Sequence, residues 1–320
     1  MEKIIKIKAE GLTEKLRVDV FITKHSELSR AQVQRFIEYG KVSINGQRVY
    51  SPAAKVANGT LVEFIEALPV EYTLKHQDIP LTILHEDPNF VIVNKQPGLV
   101  CHPAPGHYDG TLVNALLGKY LKEEDFQGGG VRLGIVHRLD MDTSGVMVVA
   151  RNMKTHQYMT EQFSSRLVQK KYLCIVHGGL EENGYIGTYI ARDLHDRKKY
   201  TARTMSGKEA QTEFEPVEKF LNATLLGVKI FTGRTHQIRV HMNYIKHPVV
   251  GDTTYGDKNR DLQLLESLNY SKEGYAQVIP RQMLHAHTLE FVHPITAKRV
   301  FFKAEPPADF NRLLKLLRKK

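Results

Sequence analysis

Hydrophobic and polar positions along this chain repeat with two periods, and the period changes where the elements change. Near the start, Ile5 and Ile7 alternate with lysines, the spacing of a strand at a sheet edge. Val18, Phe21 and Ile22 fall at helical spacing. A second helix is better marked: Ser29 and Gln32 form a capping box, Val33, Phe36 and Ile37 share one face, and Gly40 suits a left-handed C-terminal cap. Val42 and Ile44, the pair Asn45-Gly46, and then Arg48 and Val49 predict a hairpin. Farther on, the apolar runs from Phe90 to Val93 and from Val146 to Ala150 predict buried strands, the first ending at the turn Gln96-Pro97-Gly98. Residues 171–176 and 224–231 read as two more strands. Helices are expected from Thr111 onward, over 155–163, over 236–244 and over 309–317. The strands follow no regular βαβ rhythm. The expected class is therefore α+β, a mixed and largely antiparallel sheet with flanking helices behind a small N-terminal α/β unit.

This pattern divides the chain into a module over residues 1–67, a linker over 68–80 and a larger domain over 81–320. The stretch Leu68-Pro69-Val70-Glu71-Tyr72 is extended by its proline and reads as the joint.

Charge adds a partner to this picture. Lysine and arginine number 45 against 35 acidic residues, a net charge of +10, which favours a polyanion. Arg30, Gln34 and Arg35 lie on the outer side of the second helix, Lys41 lies just past its end, and Arg48 lies in the hairpin. A basic helix beside a basic hairpin can follow a phosphate backbone. A second basic set, Arg192, Arg197, Lys198 and Lys199, falls in one loop between strands, with Lys208 in a second turn. Such a set contributes affinity and salt dependence rather than sequence choice. No apolar run approaches the roughly 18 residues of a membrane span. Cys101 and Cys174 lack CxxC spacing and read as buried thiols. These features fit a soluble protein of a reducing cytoplasm.

The chemistry concentrates in one loop. His137-Arg138-Leu139-Asp140-Met141-Asp142-Thr143-Ser144-Gly145 follows the glycine run Gly128-Gly129-Gly130 and precedes the apolar run from Val146 to Ala150. A carboxylate anchored at a core edge has an environment in which chemistry is tuned. The plainer reading is an Asx-type turn in which Asp142, Thr143 and Ser144 satisfy local backbone groups. Three more polar clusters follow: residues 233–242, Gly251-Asp252-Thr253-Thr254-Tyr255-Gly256, and Leu284-His285-Ala286-His287. His236 and His241 are five apart, a poor ligand spacing, and His285 and His287 have no acidic ligand close by. No metal, dinucleotide or P-loop site is expected.

In this order and at this spacing, the HRLD-x-x-TSG loop, the GRTHQIR segment, the GD-x-x-YG turn and the LHA segment resemble the RluA-type family of RNA pseudouridine synthases. From Arg17 to Phe64, the order helix, helix, GKVSINGQRV hairpin resembles the αL RNA-binding module first named from a ribosomal small-subunit protein; Arg17-Val18-Asp19 departs slightly from its commoner opening. The resemblance implies a pseudouridine synthase fold and an isomerase that cuts the glycosidic bond of uridine in RNA, turns the base and rejoins it through carbon 5, with no cofactor. It implies Asp140 as the essential carboxylate and Arg239 as its cation, whose planar fork can take a carboxylate bidentately. The plainer reading of Arg239 is a weak helix-surface ion pair. Tyr172 matches a tyrosine near the uracil, able to position it or to assist loss of the carbon 5 proton. Arg138 can fill the space a target base vacates, and Leu284 packs near the base. Whether Asp140 attacks the anomeric carbon or removes the ribose 2′ proton stays open. The expected substrate is large-subunit ribosomal RNA, with transfer RNA or a non-catalytic role in ribosome assembly as alternatives, and the protein is expected to act as a monomer.

Overall fold

A computed structural model describes residues 2–38, 40–67, 74–104, 107–126, 132–193, 196 and 199–319, except for the side chains of residues 2, 3, 31, 35 and 65–67. The glycine run 128–130 and the extended stretch 68–72 lie outside the described residues. The chain divides into two units, Met1–Thr73 and Leu74–Lys320.

In the first unit, Glu2–Lys8 forms one edge of a four-stranded sheet and pairs antiparallel with Leu61–Ala67. The capping box forms: Ser29 N–H donates to Gln32 Oε1 at 2.8 Å, and Gln32 N–H donates to Ser29 Oγ at 3.4 Å. The helix Arg30–Glu38 follows directly. Asn45 and Gly46 both take positive φ, 49° and 78°, which turns Val42–Ile44 into Gln47–Val49. The helices bury Val18, Phe21, Val33 and Ile37 against Val42, Val62 and Phe64. Beside this core the fully buried Asp19 accepts from Arg17 Nε, Arg30 Nε and Gln34 Nε2 at 3.0, 3.1 and 2.8 Å. Burial alone would raise the pKa of that carboxyl. The three donors outweigh it and hold Asp19 well below the usual carboxylate range.

Among the described residues, the second unit is built on a ten-stranded sheet. Alternation along its strands sends side chains to two cores. In Gln169–His177, Cys174 and Val176 join one core and Ile175 the other; in Ala223–Ile230, Leu226 and Leu225 divide the same way. The helices Lys258–Ser267 and Ala308–Leu317 cover the second core through Leu264, Leu265, Phe310 and Leu313. Arg318, just past the last helix, donates to Glu218 at 2.7–3.0 Å and so ties the end of that helix to the strand Lys208–Lys219. Residues 74–81 pack on the first core through Leu74, Ile79 and Leu81, and Asn114 Nδ2 donates to Lys75 O at 2.9 Å.

One seam in the sheet differs from the rest. Ser144–Ala150 and Leu284–Val292 run parallel, with His285 opposite Ser144 and Ala286 opposite Gly145, whereas among the described residues the other paired strands of this sheet are antiparallel. Parallel strands start at the same end of a sheet, so the segments leading into both meet there. Gly145 sits at φ 124°, and a Cβ on it would collide with the backbone of Ala286. Only glycine lets the two strands approach this closely. The register of Leu284–Val292 with the strand Gln169–His177 slips here: Tyr172 pairs with Ala286 but Lys171 with Thr288, so His287 is the extra residue of a bulge, and Tyr172 comes level with Ala286 and the seam.

Candidate active site

Asp140 lies in the loop that leads into this seam, and the loop is tied down from several sides. Lys95, fully buried, donates from Nζ to the carbonyls of Gln96, Leu99 and Met141 at 2.9, 2.9 and 2.8 Å. Burial pushes its pKa down to about 8. Arg281 donates to Asp142 O at 2.9 Å while its fork holds Asp309 at 2.6 and 3.1 Å. His137 stacks on Phe163 at 4.7 Å and accepts from Val148 N–H at 3.1 Å. Burial lowers its pKa to about 3, which keeps the ring neutral and able to accept. Thr143 and Ser144 do not serve a local turn. Ser144 Oγ meets His285 Nδ1 at 2.9 Å, and Thr143 Oγ1 accepts from Gln282 at 3.4 Å, so both hydroxyls reach across the seam. What remains of the turn is the bond from Thr143 N–H to Asp140 O at 3.0 Å.

Arg239 is buried in the helix Gln237–Tyr244, not exposed on it. Its fork closes on Asp252: Nε donates to Oδ2 at 2.7 Å and Nη2 to Oδ1 at 2.8 Å. Asp140 receives one bond, from Nη1 to Oδ2 at 3.1 Å. The bidentate partner is therefore Asp252 and not Asp140, because a fully buried carboxylate must be matched by a cation with ideal geometry. Burial opposes the charge on Arg239, but Asp252 and then Asp140 outweigh it, and the pKa rises above its ordinary value. Burial likewise opposes the charge on Asp252, yet Arg239 and the N–H groups of Tyr255 and Thr254 hold its pKa down.

Gln237 fixes the entry to this helix. Its Oε1 accepts from Thr232 Oγ1 and Arg234 N–H at 2.7 and 3.0 Å, and its Nε2 donates to Gln211 O and Thr212 Oγ1 at 2.9 and 3.0 Å. His236 is thereby held in the left-handed region at φ 57°, with Nδ1 2.8 Å from the Tyr255 hydroxyl and Nε2 3.9 Å from Asp140 Oδ1.

Asp140, Tyr172, Arg239, Arg138 and Leu284 line one cavity of about 430 Å³, a size for a small ligand or a single nucleotide. Tyr172 and Leu284 are buried in its wall, and Arg138 is exposed at its rim. Burial, and then the charge of Asp140, raise the Tyr172 pKa above its ordinary value, so the phenol stays neutral. Lys170 also faces this space. It is 9 % exposed, its Nζ stands 5.6 Å from the Phe163 ring, and burial lowers its pKa to about 8.

The basic residues disperse. Arg192 is exposed, donates to the Tyr200 hydroxyl at 3.5 Å and lies over that ring; Tyr200 in turn meets His236 edge-on at 5.8 Å. Arg197 and Lys198 lie outside the described residues, as does the side chain of Arg35. Arg30 is half-exposed with its Nε committed to Asp19, Arg48 is exposed in its strand, and Lys41 is half-buried. Both cysteines are buried and free. Among the described residues, no group of three or more His, Cys, Asp or Glu side chains is arranged to hold a metal ion.

Sequence reading left Asp252, Tyr255, His236, Lys95, Arg281 and Lys170 without roles. The Gly251-to-Gly256 turn was the one signal for the first two. Gly251, at φ 76°, and Gly256 both lie where a Cβ would strike backbone.

Comparison with known proteins comes to the same chemistry. Residues 89–244 match the family model of RNA pseudouridylate synthase, and residues 16–62 match the S4 domain. The chain is 39 % identical over 315 residues, 97 % of itself and 96 % of the relative, to an uncharacterized RNA pseudouridine synthase of Aquifex aeolicus. It is 41 % identical over 293 residues, 91 % of itself and 86 % of the relative, to a ribosomal large subunit pseudouridine synthase D of Xylella fastidiosa. Among solved structures, human RNA pseudouridylate synthase domain containing 4 matches with a TM-score of 0.58 at 26 % identity, over 74 % of this chain and 93 % of that one.

Proposed function

This chain belongs to the RNA pseudouridylate synthase family, and from that premise we propose that it isomerises uridine in large-subunit ribosomal RNA with Asp140 as the essential carboxylate. The observation that carries this reading is the setting of Asp140: one oxygen bonded to a buried guanidinium, in a cavity walled by Tyr172 and Leu284. A nucleotide-sized space with an oriented carboxylate is what glycosidic-bond cleavage requires.

In this reading Arg239 fixes Asp140 toward the sugar, while Asp252 fixes Arg239. The exposed Arg138 takes the place of the target base as that nucleotide leaves its stack. Tyr172 and Leu284 clasp the uracil while it turns from N1 to carbon 5. The proton lost from carbon 5 is balanced by the one N1 gains, so side chains alone suffice and no metal or redox group is called on. A neutral Tyr172 fits a positioning role better than proton abstraction by a phenolate. Attack on the anomeric carbon and removal of the 2′ proton both use the same carboxylate.

Residues 1–67 act as the RNA-binding module, 68–80 as the joint and 81–320 as the catalytic domain. Arg30, Arg35, Lys41 and Arg48 on the module, with Arg192, Arg197 and Lys198 on the domain, follow the phosphates. The ribosomal substrate is supported by relatives of the same build, an associational argument. It puts the work in the cytoplasm, where the protein acts as a monomer. Tritium release from a large-subunit ribosomal RNA transcript labelled at uridine carbon 5 tests this reading. Wild type should release tritium and Asp140→Asn should not. Release from transfer RNA transcripts alone would move the substrate.

A further inference from the structure

We infer that His236 is a further substrate-contacting residue, whose Nε2–H grips the ribose 2′-hydroxyl of the target nucleotide together with the free oxygen of Asp140. The inference rests on the reading of Asp140 as the carboxylate that works on the sugar.

The tautomer follows from a chain of donors. Tyr200 N–H donates to the Tyr255 hydroxyl oxygen at 2.9 Å, and that hydroxyl lies 2.8 Å from His236 Nδ1. Among the described residues the Tyr255 proton has no other acceptor, so it goes to Nδ1, and Nε2 carries the proton of the ring. Burial lowers the His236 pKa below its ordinary value, which keeps the imidazole neutral with that single proton.

Nε2 faces Asp140 Oδ1 at 3.9 Å, too far for a hydrogen bond. The other oxygen of Asp140 is taken by Arg239 at 3.1 Å. A donor and an acceptor therefore face each other across a gap, and Asp140 and His236 both line the cavity. A single hydroxyl oxygen about 2.8 Å from each would fill the gap, accepting from Nε2 and donating to Oδ1. The substrate carries such a group at the right place. Whether Asp140 works on carbon 1′ or on the proton of carbon 2′, the nearest hydroxyl is the one on carbon 2′. That hydroxyl distinguishes RNA from DNA. The aim of His236 is held against strain: its non-glycine backbone lies in the left-handed region, and the four bonds of Gln237 maintain it.

The test is a cycle between enzyme and substrate. Large-subunit ribosomal RNA is transcribed once with UTP and once with 2′-fluoro-UTP, whose fluorine donates no hydrogen bond and accepts poorly. Single-turnover formation of the carbon-linked nucleoside is followed by chromatography of the digested RNA. Fluorine slows glycosidic cleavage intrinsically, but equally for every enzyme, so that part cancels. The fluoro penalty should be about tenfold smaller in His236→Phe than in wild type, the value of one hydrogen bond to a polar partner. His236→Gln, which keeps an N–H near the Nε2 position, should retain the wild-type penalty. Should His236→Phe fail to fold, Tyr255→Phe carries the test: it frees the tautomer and should shrink the penalty several-fold. Equal penalties in wild type and in the variants would overturn the inference. A wild-type enzyme that makes no pseudouridine in the UTP transcript would instead remove the substrate reading itself, and the inference with it.

Discussion

Arg239 gives two of its donors to Asp252, at 2.7 and 2.8 Å, and only one, at 3.1 Å, to Asp140. The cation is thus built into the fold by one carboxylate and offered to the site at its remaining edge. Asp252→Ala should strand a buried guanidinium and cost about 3–5 kcal/mol of stability. Urea unfolding measures that loss. A change below about 1 kcal/mol would mean that solvent reaches Arg239. Arg239→Lys should fail as well, since an ammonium cannot span two carboxylates with a fixed fork; a single-turnover rate near wild type would refute this.

The seam depends on one glycine. Gly145 is at φ 124°, with the Ala286 backbone where its Cβ would be. Gly145→Ala should cost about 3 kcal/mol or more and abolish turnover by spreading the strands that bring Asp140 and Leu284 together. Full activity in that variant would mean the seam has slack.

Buried and half-buried histidines make the fold acid-sensitive. His137 is held at about 3, and His241 and His285 at about 4, all lowered first by burial. Their unfolded value is about 6.5. Between these values the unfolded chain binds protons that the folded chain does not. Stability is therefore intact above about pH 6.5 and falls as pH drops toward 4. The unfolding free energy from urea titrations between pH 7 and 4.5 should fall with a slope of three protons or more, since burial also lowers His102, His236 and His287. His241→Gln should reduce that slope by one. An unchanged midpoint across this range would contradict the burial of these rings.

Lys170 brings a positive charge to the cavity wall at 9 % exposure. Lys170→Met should weaken RNA binding about tenfold and lower the salt slope by about one. It should leave stability equal or higher, because among the described residues no carboxylate pairs with this buried charge, and burying a charge is costly. Unaltered affinity with lowered stability would make Lys170 a structural residue.

What was legible in the sequence is what local spacing encodes. Ser29 with Gln32 and Asn45 with Gly46 announce their cap and their turn because the physics acts within four residues. The Asp140 loop was legible from its charged residues set against an apolar run. The partner of Arg239 was not, because Asp252 and Asp140 are equally acidic in sequence and only packing decides which is fully buried. The parallel seam joins Ser144 to His285 across 141 residues, a separation no periodicity reports. The strand Gly184–Arg192 went unread because only Ile186 and Ile190 are buried along it, which blurs the alternation. His236 looked like an ordinary histidine, since its left-handed backbone is imposed by Gln237 and not by its own residue type.

The most direct measurement is a pseudouridine map of ribosomal and transfer RNA from cells that lack this protein, compared with cells carrying wild type or Asp140→Ala. Sites in large-subunit ribosomal RNA should vanish with the deletion, return with wild type and stay absent with Asp140→Ala. Restoration of those sites by Asp140→Ala, or a map that never changes, would contradict the assignment of Asp140 as the essential carboxylate of a ribosomal RNA synthase.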